Sequence, residues 1–114
     1  MAVKLVYLFK KIGDPLEFLN HHNNEFLALL RDLPKAGTIK VSQVKADSYG
    51  GDPVYFLITE VTFRNKNLLE KALLSYENEK LSKDIDKFAR GATTIMITEE
   101  LDLDKETLNK KTRF

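Results

Sequence analysis

Two adjacent histidines, His21 and His22, are the residues best suited to moving a proton near neutral pH, because an unperturbed imidazole titrates close to that range. They sit in a stretch with helical spacing. At about 100° per residue, Phe18, Leu19, Phe26, Leu29, Leu30 and Leu33 form one broad apolar arc, and His22 falls near its middle with Asn23 toward its edge. A polar side chain entering such a face needs a hydrogen-bond partner. His22 is therefore the candidate catalytic residue, either as general acid/base or as a substrate-orienting group. The alternative is a structural histidine tied to a nearby acceptor. Tyr7 and Tyr55, on neighbouring strands, supply hydroxyls that can reach the same space, and both also suit an amphipathic filler role. Tyr7, Asn23, Phe26 and Tyr55 make up the expected substrate pocket around His22.

Other chemistries find little support. His21 and His22 point about 100° apart on a helix and cannot share one ion. His21 and Glu25 share a face at i, i+4, and that spacing reads as a weak surface pair. With neither HExxH nor a third histidine, no metal site is expected. Cysteine is absent, which removes disulfides, thiolate metal sites and cysteine nucleophiles. The glycine pair Gly50-Gly51 lies between two strands, not between a strand and a helix, so it is no phosphate cradle. None of Ser42, Ser48, Ser75 and Ser82 occupies a GxSxG elbow. Lys plus Arg is 18 against 17 for Asp plus Glu, a net charge of +1, which argues against a nucleic-acid-binding domain. No apolar run approaches the ~18 residues of a membrane span, and the start Met1-Ala2-Val3-Lys4-Leu5 lacks a basic leader. A cytoplasmic location is the expectation.

The elements that must position these residues follow from pattern. Val3–Phe9 is rich in β-branched and aromatic residues and reads as a strand. Asp14-Pro15-Leu16-Glu17 supplies an N-cap, a proline at the first helical position and an acid at the third, so a helix runs from there to about Leu33, before Pro34. Strands are expected at Thr38–Ala46 and Val54–Phe63, joined by the turn-forming Asp47–Pro53. A helix begins after Asn65, a break falls at Ser75–Asn78, and a further helix covers Glu79–Ala89 with Leu81, Ile85 and Phe88 on one face. Ala92–Thr98 is the last strand. Residues 1–100 thus form one β-α-β-β-α-β domain of the ferredoxin-like α+β plan, a four-stranded antiparallel sheet with helices on one face, followed by a polar tail over 101–114.

That plan leaves one sheet face to water, and such a face should be polar. Here Val6 and Leu8 alternate with Val3, Leu5, Tyr7 and Phe9. Val54, Phe56 and Ile58 alternate with Tyr55, Leu57 and Val61, and Met96 lies between Ile95 and Ile97. Both faces look apolar, so a second copy is expected to cover one of them, giving a homodimer.

Three stretches make the chain resemble the family named after ethyl tert-butyl ether degradation (EthD-like), within the dimeric α+β barrel group. They are Asp14–Phe18 with the later Leu33-Pro34, then Gly50–Phe56, then Ser75–Glu77 with Asp84–Gly91. The resemblance spans about Val3 to Glu100. It implies a barrel built from two sheets, a small pocket between helix and sheet in each subunit, no cofactor, and a small hydrophobic organic ligand. Relatives in the wider group include monooxygenases, isomerases and dehydratases. The chain departs from the family pattern in its first helix, where Phe26 takes the family's histidine position, Ala28-Leu29 its Pro-Leu pair, and His22 its tyrosine position. A non-catalytic accessory or ligand-binding role uses the same pocket.

Overall fold

The computed structural model describes residues 2–101. The tail expected beyond the domain lies, from residue 102 onward, outside the described residues. The order is β1 (Val3–Lys10), α1 (Pro15–His21), a π-helical turn (His22–Phe26), α2 (Leu27–Arg31), β2 (Ile39–Gln43), β3 (Tyr55–Phe63), α3 (Lys66–Leu73), α4 (Tyr76–Phe88) and β4 (Thr93–Glu99). The sheet is antiparallel in the order β2-β3-β1-β4, the expected ferredoxin-like α+β arrangement.

Local chemistry sets the helix ends as expected. Asp14 Oδ1 accepts from Leu16 N at 2.9 Å, with Pro15 at the first helical position. Asn65 caps α3 through Leu68 N at 2.9 Å. Ser75 makes the break between the last two helices. Its hydroxyl donates to Ala72 O at 2.6 Å and accepts from Asn78 N at 3.2 Å, closing α3 and opening α4 at Tyr76, three residues before the expected start.

Two irregularities depart from the sequence pattern, and both bear on the site. The first helix does not run uniformly to Leu33. Leu27 N donates to His22 O, an i+5 bond, so His22–Phe26 is a π turn and the regular helix ends at Arg31. In β3, Phe9 pairs with Leu57 and Lys10 with Tyr55, which makes Phe56 an extra residue opposite a single step of β1. The bulge overturns strict alternation. Phe56 and Leu57 are both buried, and Phe56 meets the Phe18 ring at 5.9 Å on the helix side.

The core lies between the sheet and the helices, where Leu5, Tyr7, Phe9, Leu57, Val61 and Phe63 meet Phe18, Phe26, Leu30, Leu69 and Leu81. The other sheet face is less apolar than expected. By register, Leu8, Ile58, Val6 and Met96 form its centre, bordered by Lys4, Lys40, Glu60, Thr62 and Thr98. The helices also leave β4 open. Ile95 and Ile97, on the helix side opposite Tyr7 and Leu5, are each 51% exposed. The unpartnered apolar surface is thus a strip around the β4 edge joined to the middle of the sheet.

Candidate functional site

The first group of polar residues gathers around the π turn. His22 is completely buried. Its Nε2 lies 2.7 Å from Thr59 Oγ1 and its Nδ1 2.9 Å from Asn23 Oδ1. An amide oxygen only accepts, so Nδ1 carries the proton and Nε2 accepts from the Thr59 hydroxyl. The ring stacks on Phe26 with 5.3 Å between centroids and meets Phe9 edge-on at 5.5 Å. Burial pulls the His22 pKa below the usual histidine value. The bond to Asn23 opposes that shift and the neighbouring His21 adds to it. His22 is therefore the neutral imidazole at neutral pH, with both nitrogens satisfied.

Tyr7 lies against Phe26 at 5.2 Å in the same interior, and burial pushes its phenol well above the ordinary range. The structure thus brings Tyr7, His22, Asn23 and Phe26 together. It gives Thr59 the partner role expected of a tyrosine hydroxyl. Thr59 is one β residue among many in sequence. Only its register opposite Tyr7 places it under the helix.

Tyr55 lines a separate depression of about 300 Å³ at the bulged end of the sheet. Phe56 forms part of its wall, and Lys11, Lys45, Gln43 and Asp52 surround it. Lys45 Nζ donates to Gln43 Oε1 at 3.4 Å, and Lys11 Nζ stands 5.9 Å from the centre of the Phe56 ring. Neither lysine forms an ion pair among the described residues. The bulge explains the place. It turns Phe56 inward beneath Phe18 and leaves Tyr55 half-buried at the rim.

A third group joins α1 to α4. His21 Nε2 lies 2.7 Å from Asp84 Oδ1, and Nδ1 lies 3.0 Å from Glu25 Oε2. The His21 ring packs on Phe88 at 4.4 Å. The expected surface pair with Glu25 is present, and Asp84 is the member that sequence reasoning missed. Its only trace in the sequence is its position, three residues after Leu81 and four before Phe88, on the same side of α4.

With this geometry in view, the fold is that of a ferredoxin-like α+β chain. No family model matches. An ethyl tert-butyl ether degradation (EthD) family protein from Bacillus halodurans is 30% identical in a superposition covering 89% of this chain and 100% of that one, with a TM-score of 0.83. The chain belongs to the EthD family. An uncharacterized 11.0 kDa protein from the thcB-thcC intergenic region of Rhodococcus erythropolis is 24% identical over 98 residues, 85% of this chain and 93% of that protein. More distant chains share the fold alone. A dimeric ferredoxin-like protein of unknown function from Jannaschia is 13% identical, with a TM-score of 0.67 over 88% of this chain and 100% of that one. SnoaB, a cofactor-independent oxygenase from Streptomyces nogalater, is 15% identical, with a TM-score of 0.61 over 91% and 98% of the two chains.

Proposed function

We propose that this chain binds a small hydrophobic organic compound bearing an acidic group, in the depression at the bulged end of the sheet, and that it works as a homodimer without an organic cofactor. One observation carries the reading. Two lysines without ion-pair partners among the described residues, Lys11 and Lys45, stand beside the half-buried Tyr55 and the inward-turned Phe56. Ring surfaces offer an apolar seat, and the ammonium groups and the phenol offer donors to a carboxylate or phenolate. The Asp52 carboxylate on the same rim opposes a second negative charge and so favours a monoanion.

Where binding leads to turnover, these donors are placed to stabilise an oxyanion developing on the bound compound, the kind of assistance open to a site that relies on orientation and charge. The likeness to a cofactor-independent oxygenase supports that class of chemistry. His22, the catalytic candidate from sequence, is closed off and fully hydrogen-bonded, and it does not line this depression. The role its geometry supports is to join the π turn to β3. Dimerisation would cover Met96, Leu8 and Ile58, in keeping with the dimeric relative.

Calorimetric titration with a series of aromatic carboxylates tests the pocket. Benzoate-like acids should bind, their neutral amides should bind at least about tenfold more weakly, and Lys11→Ala and Tyr55→Ala should each reduce affinity. Equal affinity for acids and amides, or no effect of either substitution, would contradict the reading.

A further inference from the structure

We propose that His21, Glu25 and Asp84 form a binding site for a divalent transition-metal ion of the zinc type, bridging α1 and α4. Their potential ligand atoms, one per residue, lie within 4.8 Å of one another. His21 and Glu25 are one helical turn apart, and Asp84 comes from the opposing helix.

One imidazole stands between two carboxylates, with Asp84 hydrogen-bonded at Nε2 and Glu25 beside Nδ1, and among the described residues no lysine or arginine pairs with either acid. Asp84 adds an independent observation. The residue is 8% exposed, and its second oxygen, Oδ2, is buried with no hydrogen-bond partner among the described residues. A buried, unpaired carboxylate oxygen is costly, and a metal ion would satisfy it.

The donor set decides the class of ion. One imidazole with two carboxylates suits zinc, nickel or copper, whereas magnesium and calcium favour sites made of oxygen alone. Glu25 is exposed and can adjust to the ion, while Asp84 and the ring on Phe88 are held by packing. Lys80, Lys83 and Lys87 line a depression together with Asp84 and weaken the attraction for a dication. Micromolar affinity is the expectation.

The full chain is titrated with zinc chloride slightly above neutral pH, by calorimetry and by thermal unfolding. One ion should bind per chain and raise Tm, and magnesium at the same concentration should do neither. His21→Gln and Asp84→Asn should each weaken zinc binding by more than about tenfold, and Glu25→Gln should weaken it less. Absence of zinc binding, or unchanged affinity in folded His21→Gln or Asp84→Asn, would overturn the proposal. If a variant does not fold, the wild-type protein still decides. It has only two histidines, so zinc should move the ring resonances of His21 and leave those of His22 in place. The reverse pattern would also overturn the site.

Discussion

Replacing Thr59 with valine keeps the shape of the side chain and removes one hydroxyl. That hydroxyl is the sole described partner of His22 Nε2, at 2.7 Å, and both residues are completely buried. No cavity opens, so the cost is that of an acceptor stranded without water, about 1–3 kcal/mol. For a domain of this size the loss corresponds to a fall in Tm of roughly 5–20 °C. His22→Leu alone strands the Thr59 hydroxyl instead and should also destabilise. The double variant, His22→Leu with Thr59→Val, removes both polar groups and should regain much of the stability, because the exposed Asn23 then turns to water. Urea unfolding of the four proteins measures the coupling directly. Additive losses, or a Thr59→Val loss below about 0.5 kcal/mol, would refute the assignment of a neutral Nδ1–H imidazole accepting from Thr59.

The same histidine makes a pH prediction. Its pKa is lowered in the folded state, so as pH falls below about 6.5 the unfolded chain takes up this proton first. Its contribution to stability is complete above that pH and is lost on acidification toward the depressed value, and nitrogen-resolved NMR should show His22 still neutral at a pH where a free imidazole is charged. Ser75→Ala removes the hydroxyl that closes α3 and caps α4 and should cost about 1 kcal/mol in chemical unfolding. Gly37→Ala places a Cβ 2.7 Å from the Thr62 carbonyl oxygen, so it should lower Tm, whereas a shift within a degree or so would show that the loop yields freely. Light scattering should give twice the 13.1 kDa chain mass, and Met96→Lys should return the monomer.

The sequence exposed the element order because its punctuation is chemical. Asp14-Pro15, Asn65 and Ser75 each act as caps in the fold, and the strands carry β-branched and aromatic runs. Boundaries shifted where tertiary pairing decided them. β2 ends at Gln43, short of Ala46. The candidate site was legible only in part, for three reasons. A helical projection at constant pitch cannot show a π turn, although it still placed His22 and Phe26 inward. Alternation cannot reveal a bulge, so it puts Phe56 on the wrong face and Tyr55 in the space near His22. The partners of His21 and His22, Asp84 and Thr59, lie 63 and 37 residues away, and no local pattern pairs them.

A ligand seat at the bulged end of the sheet is the central proposal for this chain. Amide chemical-shift mapping during titration with benzoate tests this directly. Saturable shifts should concentrate at Lys11, Gln43–Lys45 and Asp52–Phe56 and leave Thr59 and Leu30 unmoved. Shifts centred on the π turn around His22, or no saturable shifts at all, would contradict it.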